Sequence, residues 1–193
     1  RDNRKTRCKI LIPVPRKDVI IAVSPKGDFI AVSHITNTGI INLRRKKFDR
    51  PVPGVSNRVI SFTVFTVDGK SFYQGGNDPR FNLYNVRTRK ATLERRIRLR
   101  GNYYVNHAME TASGYLACSG NSGFAVWTDR GKKLLLRVQI EGTRFRRIEL
   151  TVDGKYAITP YGYWDLTTLQ PILPFDISTV GKSLRLTPDA KRV

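Results

Sequence analysis

The chain has 193 residues, of which 35 are Lys or Arg and 15 are Asp or Glu, so its formal net charge is +20. That length is typical of one domain with its own core, and no apolar run approaches the ~18 residues that a membrane helix requires. Only two cysteines and two histidines are present, which excludes a disulfide scaffold and a Cys-rich zinc module, and no cofactor is predicted. A charge this far from zero favours a polyanionic partner.

The first predicted segment is residues 1–17, which are rich in Lys and Arg and hold one acid, Asp2. Pro13 and Pro15 disfavour a helix there. We therefore predict an extended basic arm over 1–17, followed by a single repetitive domain over 18–193. The alternative for the arm is a solvated terminal tail, since blocks of like charge often make no contacts.

A four-residue turn motif recurs along the rest of the chain, at intervals of 42, 45, 40 and 36 residues. Its first position is always Ser or Thr, and its fourth is Gly in four of the five copies. The copies are Ser24–Gly27, Thr66–Gly69, Thr111–Gly114, Thr151–Gly154 and Thr187–Ala190. A hydroxyl caps such a turn, and Gly lets the backbone leave it with little steric cost.

Short β-branched or aromatic runs flank each turn, and two more strand-like segments complete each unit. The third segments share an aromatic or Ile core and are residues 40–43, 81–85, 124–127 and 163–166. The fourth segments include 92–99 and 134–140. Four strands in a unit of roughly forty residues are typical of a β-propeller blade.

These turns, followed by the Trp164-Asp165 dipeptide, resemble the WD-repeat β-propeller family over residues 19–193. Trp127-Thr128-Asp129 and Tyr84-Asn85 are degenerate versions of that dipeptide, and the Gly-His pair of the family is absent, with His107 as its nearest counterpart. The resemblance implies an all-β fold of four-stranded antiparallel blades. Four units and the start of a fifth predict an incomplete ring, which the rest of a longer protein or a partner completes. The alternatives are another four-stranded propeller family or an antiparallel sandwich.

Basic residues concentrate at one phase of the repeat. In the family's blade order, the turn between the third and fourth strands lies on the same edge as the turn between the first and second. The third-to-fourth turns contribute Arg44, Arg45, Lys46, Lys47, Arg87, Arg89, Lys90, Arg130, Lys132 and Lys133. The first-to-second turns add Lys26, Lys70 and Lys155, whereas residues 166–169 of the fourth unit are neutral. We therefore predict a basic face over the first three units.

A predicted fourth strand adds a further row of charge. Arg96, Arg98 and Arg100 alternate with Ile97 and Leu99, so the three guanidinium groups lie on one side of the strand. Their ~7 Å spacing matches the phosphate repeat of an extended nucleic-acid strand. The alternative is that these residues are solvated charges that protect a strand edge from pairing.

Catalytic motifs are absent from the sequence, including phosphate-binding loops, nucleophile elbows and paired metal-binding histidines. We therefore predict a non-catalytic scaffold that docks on RNA phosphates, with rRNA in a ribosome or ribosome-assembly particle as the expected setting and other protein subunits as further partners. The mitochondrial matrix is the expected location, with the nucleolus as the alternative. The rival functions are a protein-interaction propeller, such as an adaptor or coat subunit, that binds an acidic protein, and an enzyme with a site in its central channel.

Overall fold

The computed structural model describes residues 19–34, 37–45, 47–52, 59–86, 92–99, 104–140 and 144–174. Within those ranges the chain forms sixteen β-strands and one three-residue 3-10 turn at Asp129–Gly131. The predicted all-β class is therefore confirmed. The basic arm over 1–17 and the fifth turn at Thr187–Ala190 lie outside the described residues.

The strands form four antiparallel sheets of four strands each, and every sheet follows chain order. The first sheet contains β1 (Val19–Val23), β2 (Phe29–His34), β3 (Asn37–Asn42) and β4 (Lys47–Val52), and the second contains β5 (Ile60–Phe65), β6 (Ser71–Gly76), β7 (Asp78–Asn85) and β8 (Thr92–Arg98). The third contains β9 (Val105–Glu110), β10 (Leu116–Gly120), β11 (Gly123–Thr128) and β12 (Lys133–Gln139), and the fourth contains β13 (Glu149–Leu150), β14 (Tyr156–Thr159), β15 (Gly162–Asp165) and β16 (Gln170–Pro174). Each sheet is thus one repeat unit, because its strands are joined by hairpin connections alone.

The recurring turn joins the first two strands of every sheet. Its Ser or Thr hydroxyl accepts a hydrogen bond from the backbone N–H at the start of the next strand, at 2.9 to 3.2 Å, in the pairs Ser24–Phe29, Thr66–Ser71, Thr111–Tyr115 and Thr151–Tyr156. The fourth residue of each turn has a positive φ, which is 69° at Gly27 and 71° at Gly154. The predicted repeat is confirmed at these four turns.

Two of these glycines provide a matched test of the turn. A Cβ at Gly154 would lie 2.6 Å from two ring atoms of Tyr115, whereas a Cβ at Gly27 would meet nothing within 4 Å. We expect Gly27→Ala to lower the free energy of unfolding by about 1–2 kcal/mol, which is the usual cost of a left-handed conformation for a residue with a Cβ. Gly154→Ala should cost clearly more, as measured by urea denaturation. Equal costs would show that Tyr115 moves aside.

Consecutive sheets pack face to face along the chain. Ala31 and Ile40 of the first sheet contact a cluster of aromatic residues from the second, in which the rings of Phe72 and Tyr84 stack at 5.2 Å. The first strands also lie side by side, since β1 contacts β5, β5 contacts β9 and β9 contacts β13. The four sheets therefore form a stack in chain order, with the first strand of each sheet next to that of its neighbour.

A large apolar cluster lies between the second and third sheets. Phe81 is fully buried there, and its ring centroid lies 6.0 Å from that of Trp127. A comparable cluster joins the third and fourth sheets, where Phe124 packs edge to face on Trp164 at 4.8 Å. The second and third sheets consequently bury both of their faces at their middle strands: every residue of β6 and β10, and all but the last residue of β11, is buried.

Candidate nucleic-acid interface

The third-to-fourth turns and the first-to-second turns lie on the same edge of the sheets. In the first sheet, the guanidinium group of Arg44 donates two hydrogen bonds to the carboxylate of Asp28, at 2.6 Å and 3.1 Å. Arg44 belongs to the turn before β4 and Asp28 to the turn before β2. In the third sheet, Arg130 reaches Asp68, which belongs to the first turn of the second sheet, at 3.0 Å. The expected common edge is therefore confirmed.

The structure describes the side chains of about half of the residues predicted to bind nucleic acid. These are Arg44, Arg45, Arg96, Arg98, Arg130, Lys132 and Lys133. Lys47 begins β4, and only its backbone is described. Lys46, Arg87, Arg89, Lys90 and Arg100 lie outside the described residues. Contact of this set with nucleic acid stays a prediction.

Two charges of the turn edge are paired within their own sheet, and in both pairs the cation is exposed. The side chain of Arg44 is 76% exposed beside Asp28, and Lys132 lies 3.0 Å from the exposed carboxylate of Asp129. Exposed pairs of this kind contribute only about 0–1 kcal/mol. An incoming phosphate can therefore compete for these cations. Arg45 and Lys133 form no ion pair within the part of the chain that the structure describes.

Arg130 differs from the other basic residues of this edge, because its ion pairs connect two sheets. Its Nη1 lies 3.0 Å from Asp68 Oδ2, and its Nε lies 3.4 Å from Oε1 of Glu110, whose side chain is only 1% exposed. The backbone at Arg130 adopts a φ of 53°, a left-handed conformation that is uncommon outside glycine. Its carbonyl accepts a hydrogen bond from Arg95 at 2.9 Å. Arg130 thus joins the second and third sheets.

The two carboxylates beside Arg130 have opposite pKa shifts. Partial burial opposes ionisation of Asp68, but hydrogen bonds from the Lys70 N–H and the Thr66 hydroxyl, together with the Arg130 guanidinium, outweigh it and lower its pKa to about 2. Burial raises the pKa of Glu110, although the N–H of Val67 and the charge of Arg130 oppose that shift. Asp68 is therefore ionised at neutral pH, whereas burial opposes the ionisation of Glu110 and the Val67 N–H and the charge of Arg130 favour it.

Glu110 was missed by the sequence reasoning, although a signal was present. It directly precedes Thr111, the first residue of its turn, and the residues in the same place of the other units are Val23, Phe65 and Leu150. An acid in an otherwise apolar column requires a cation nearby, because an unpaired buried carboxylate is costly. Arg130 satisfies that requirement.

The outer strands carry a second group of cations. On β8, Arg96 and Arg98 are exposed, whereas Ile97 and Leu99 are 5% and 1% exposed, so the predicted alternation is confirmed over these residues. On β12, Arg137 is also exposed. None of these three arginines forms an ion pair with an acid in the described part of the chain.

Phe81 and Phe145, which lie near the basic clusters in sequence, are fully buried and so cannot stack on bases.

The remaining turn carboxylates have structural partners. Asp153 accepts hydrogen bonds from the Thr151 hydroxyl at 2.6 Å and from the Lys155 N–H at 3.0 Å, and Asp68 repeats both contacts in its own turn. Across the described ranges, no three His, Cys, Asp or Glu side chains cluster closely enough to hold a metal ion. No helix in those ranges has the length and hydropathy needed to cross a membrane.

Comparison with known proteins gives structural likeness alone. No protein-family model matches the sequence, and no curated protein matches it either. Many solved structures resemble the fold. One is hydrazine synthase of Kuenenia stuttgartiensis, with a TM-score of 0.64 and 13% sequence identity over 79% of this chain. This chain spans about half of that one, since 47% of the hydrazine synthase chain is covered.

Proposed function

We propose that the four sheets are consecutive blades of a β-propeller of the WD-repeat type. Two observations support this interpretation over a two-layer sandwich. The sheets stack in chain order with their first strands adjacent, as blades do around a central axis. The second and third sheets also bury both faces, whereas each sheet of a two-layer sandwich has a solvated outer face.

A row of residues across the strands of the first sheet is evidence that a further sheet packs against it. In the second, third and fourth sheets, the residue just before the recurring turn and its cross-strand partners on the next two strands form a row that packs against the preceding sheet. These rows are Phe65–Phe72–Tyr84, Glu110–Leu116–Trp127 and Leu150–Ala157–Trp164. The corresponding row in the first sheet is Val23–Ile30–Ile41, which is apolar throughout, and Ile41 at its inner end is buried. Ile21 and Val23 on that face are 65% and 57% exposed, as expected where a preceding blade belongs.

The function that this surface supports best is a non-catalytic scaffold that binds RNA phosphates in a large ribonucleoprotein, with rRNA as the expected partner. The observation that carries the proposal is the placement of the described basic residues: the turn edge exposes Arg44, Arg45, Lys132 and Lys133, and the outer strands expose Arg96, Arg98 and Arg137. Over the whole sequence, 35 Lys and Arg residues outnumber 15 acids. Such contacts give affinity and orientation without reading sequence.

The turn before β4 provides the test. Changing Arg44, Arg45, Lys46 and Lys47 to Gln should weaken binding to unrelated RNA sequences by the same factor. It should also lower the log–log salt slope by roughly 0.7 for each phosphate of a single strand that the variant no longer binds. Fold stability should change by no more than about 0.5 kcal/mol per residue, because Arg44 and Arg45 are exposed and substitutions of surface charges usually have small effects. Filter binding over a salt series measures both the affinity and the slope.

The matched control variant keeps the positive charges of this turn and changes only the shape of the charged groups. A variant with Lys at 44, 45, 46 and 47 should retain most of the affinity and the salt slope, since point charges suffice for phosphate contact. An unchanged affinity and slope in the Gln variant would contradict the proposal. The favoured function would then be a protein-interaction propeller whose basic edge meets an acidic protein.

A further inference from the structure

A small cavity opens between the outer strands of the second and third sheets. Its volume is about 80 Å³, and it is lined by Arg98, Leu99, Ala125, Trp127, Leu134 and Arg137. Leu99, Ala125 and Trp127 belong to the buried cluster between the two sheets, so one part of the lining is apolar. Arg98 from β8 and Arg137 from β12 supply the charged part.

The two arginines come from different sheets, and only the packing of those sheets brings them to one cavity. Both are exposed, and neither forms an ion pair with an acid in the described ranges. An apolar lining lowers the local dielectric constant and so strengthens the attraction between a guanidinium group and an anion. Two planar guanidinium groups also match the oxygens of a phosphate better than ammonium groups do.

The volume decides which ligand group the cavity can accept. Sites for whole small molecules measure about 300–1,000 Å³, so a nucleotide or a cofactor does not fit here. One tetrahedral group does fit, provided that the rest of its molecule remains outside on the protein surface. A phosphodiester of a nucleic-acid strand meets that condition, because its neighbours along the strand lie ~6–7 Å away on either side.

We propose that this cavity is a phosphate site, in which Arg98 and Arg137 together bind one phosphodiester of an RNA strand that runs along the outer strands of the second and third sheets. The inference rests on the proposed RNA-binding function and assigns one phosphate-binding position to it. Arg98 belongs to the predicted interface, whereas Arg137 does not. The strand is held by its backbone at this point, so no base preference arises from the cavity.

The experiment compares two fluorescein-labelled 20-nucleotide probes, poly(U) and an abasic ribose-phosphate strand of the same length. Arg98→Gln and Arg137→Gln should each weaken binding of both probes by roughly ten- to a hundredfold at low salt, as expected when one charge-assisted hydrogen bond is removed. The salt slope should fall by about 0.7 in each variant. Arg146→Gln is the matched control, because Arg146 is an exposed arginine in the segment before β13 and does not line the cavity.

A labelling measurement locates the bound strand directly. Phenylglyoxal modifies exposed arginines, and mass spectrometry measures the extent of modification at each arginine. Poly(U) should protect Arg98 and Arg137 in the wild-type protein and leave Arg146 reactive. Protection of both, together with equal reductions in affinity for the two probes, supports the phosphate site.

Three outcomes overturn it, and they separate it from the broader proposal. If Arg98→Gln and Arg137→Gln behave as Arg146→Gln does while the turn variant at 44–47 loses affinity, RNA binding holds and the cavity is not a site. If the affinity falls for poly(U) and not for the abasic strand, the cavity contacts a base and the phosphate assignment is wrong. If the wild-type protein binds neither probe, both proposals are wrong.

Discussion

Replacing Phe81 with alanine is expected to lower the free energy of unfolding by about 3–5 kcal/mol, the usual cost of removing a large buried aromatic side chain. Phe81 is fully buried between the second and third sheets, and its ring lies within 6.1 Å of the rings of Phe62, Tyr73 and Trp127. The cavity left behind would be surrounded by rings from two sheets, so it cannot collapse without moving one sheet against the other. Thermal and urea denaturation measure the destabilisation.

Val152→Ala provides the control for this experiment. Val152 is 71% exposed in the turn before β14, so its truncation should change the free energy of unfolding by no more than about 0.5 kcal/mol. Phe81→Leu retains part of the volume and should fall between the two. A destabilisation below about 1 kcal/mol for Phe81→Ala would contradict tight packing of the second sheet on the third.

The second large effect is expected at Arg130. Arg130→Met removes the cation beside Asp68 and Glu110, and it leaves the buried carboxylate of Glu110 without its ion-pair partner. An uncompensated buried polar group costs about 1–3 kcal/mol or more, so the free energy of unfolding should fall by that amount. In a Glu110→Gln background the same substitution should cost clearly less, because no buried charge remains. A double-mutant cycle of the four proteins measures this coupling.

The pH dependence of this variant has a definite sign. The pKa of Glu110 is raised by its burial, so the carboxyl group takes up a proton as pH falls and then no longer needs a cation. The cost of Arg130→Met should therefore be largest near pH 7 and shrink as pH falls through that raised pKa. The contribution of Asp68 is lost only at lower pH: its pKa is lowered to about 2, so its stabilisation is present at neutral pH and is lost as pH falls from about 4 through about 2.

Lys132→Met is the matched control for Arg130→Met. Lys132 lies two residues away in the same turn, and among the described residues its ion-pair partner is the exposed carboxylate of Asp129. Its removal should leave stability within about 0.5 kcal/mol of wild type at every pH. Equal losses of unfolding free energy in Arg130→Met and Lys132→Met would show that the charge of Glu110 does not require Arg130. A loss in Arg130→Met that is independent of pH would show the same.

The sequence by itself determined the repeat. A turn with Ser or Thr at its first position and Gly at its fourth is specified locally, because the hydroxyl bonds the backbone a few residues later and Gly alone adopts the required φ without strain. Four such turns lie where they were expected, and the strands on either side follow. The alternation of Arg96 and Arg98 with Ile97 and Leu99 was also readable, because side chains on a strand alternate between its two faces.

The tertiary structure decided which charges are available. Arg130 and Lys132 look alike in sequence, yet one joins two sheets through Asp68 and Glu110 and the other pairs within its own turn. The meeting of Arg98 and Arg137 at one cavity is likewise invisible in sequence, since the two residues are 39 positions apart and belong to different sheets. Local spacing fixes turns and strand faces because those interactions span a few residues. Ion pairs and cavities between sheets depend on how whole faces pack, which no short stretch of sequence specifies.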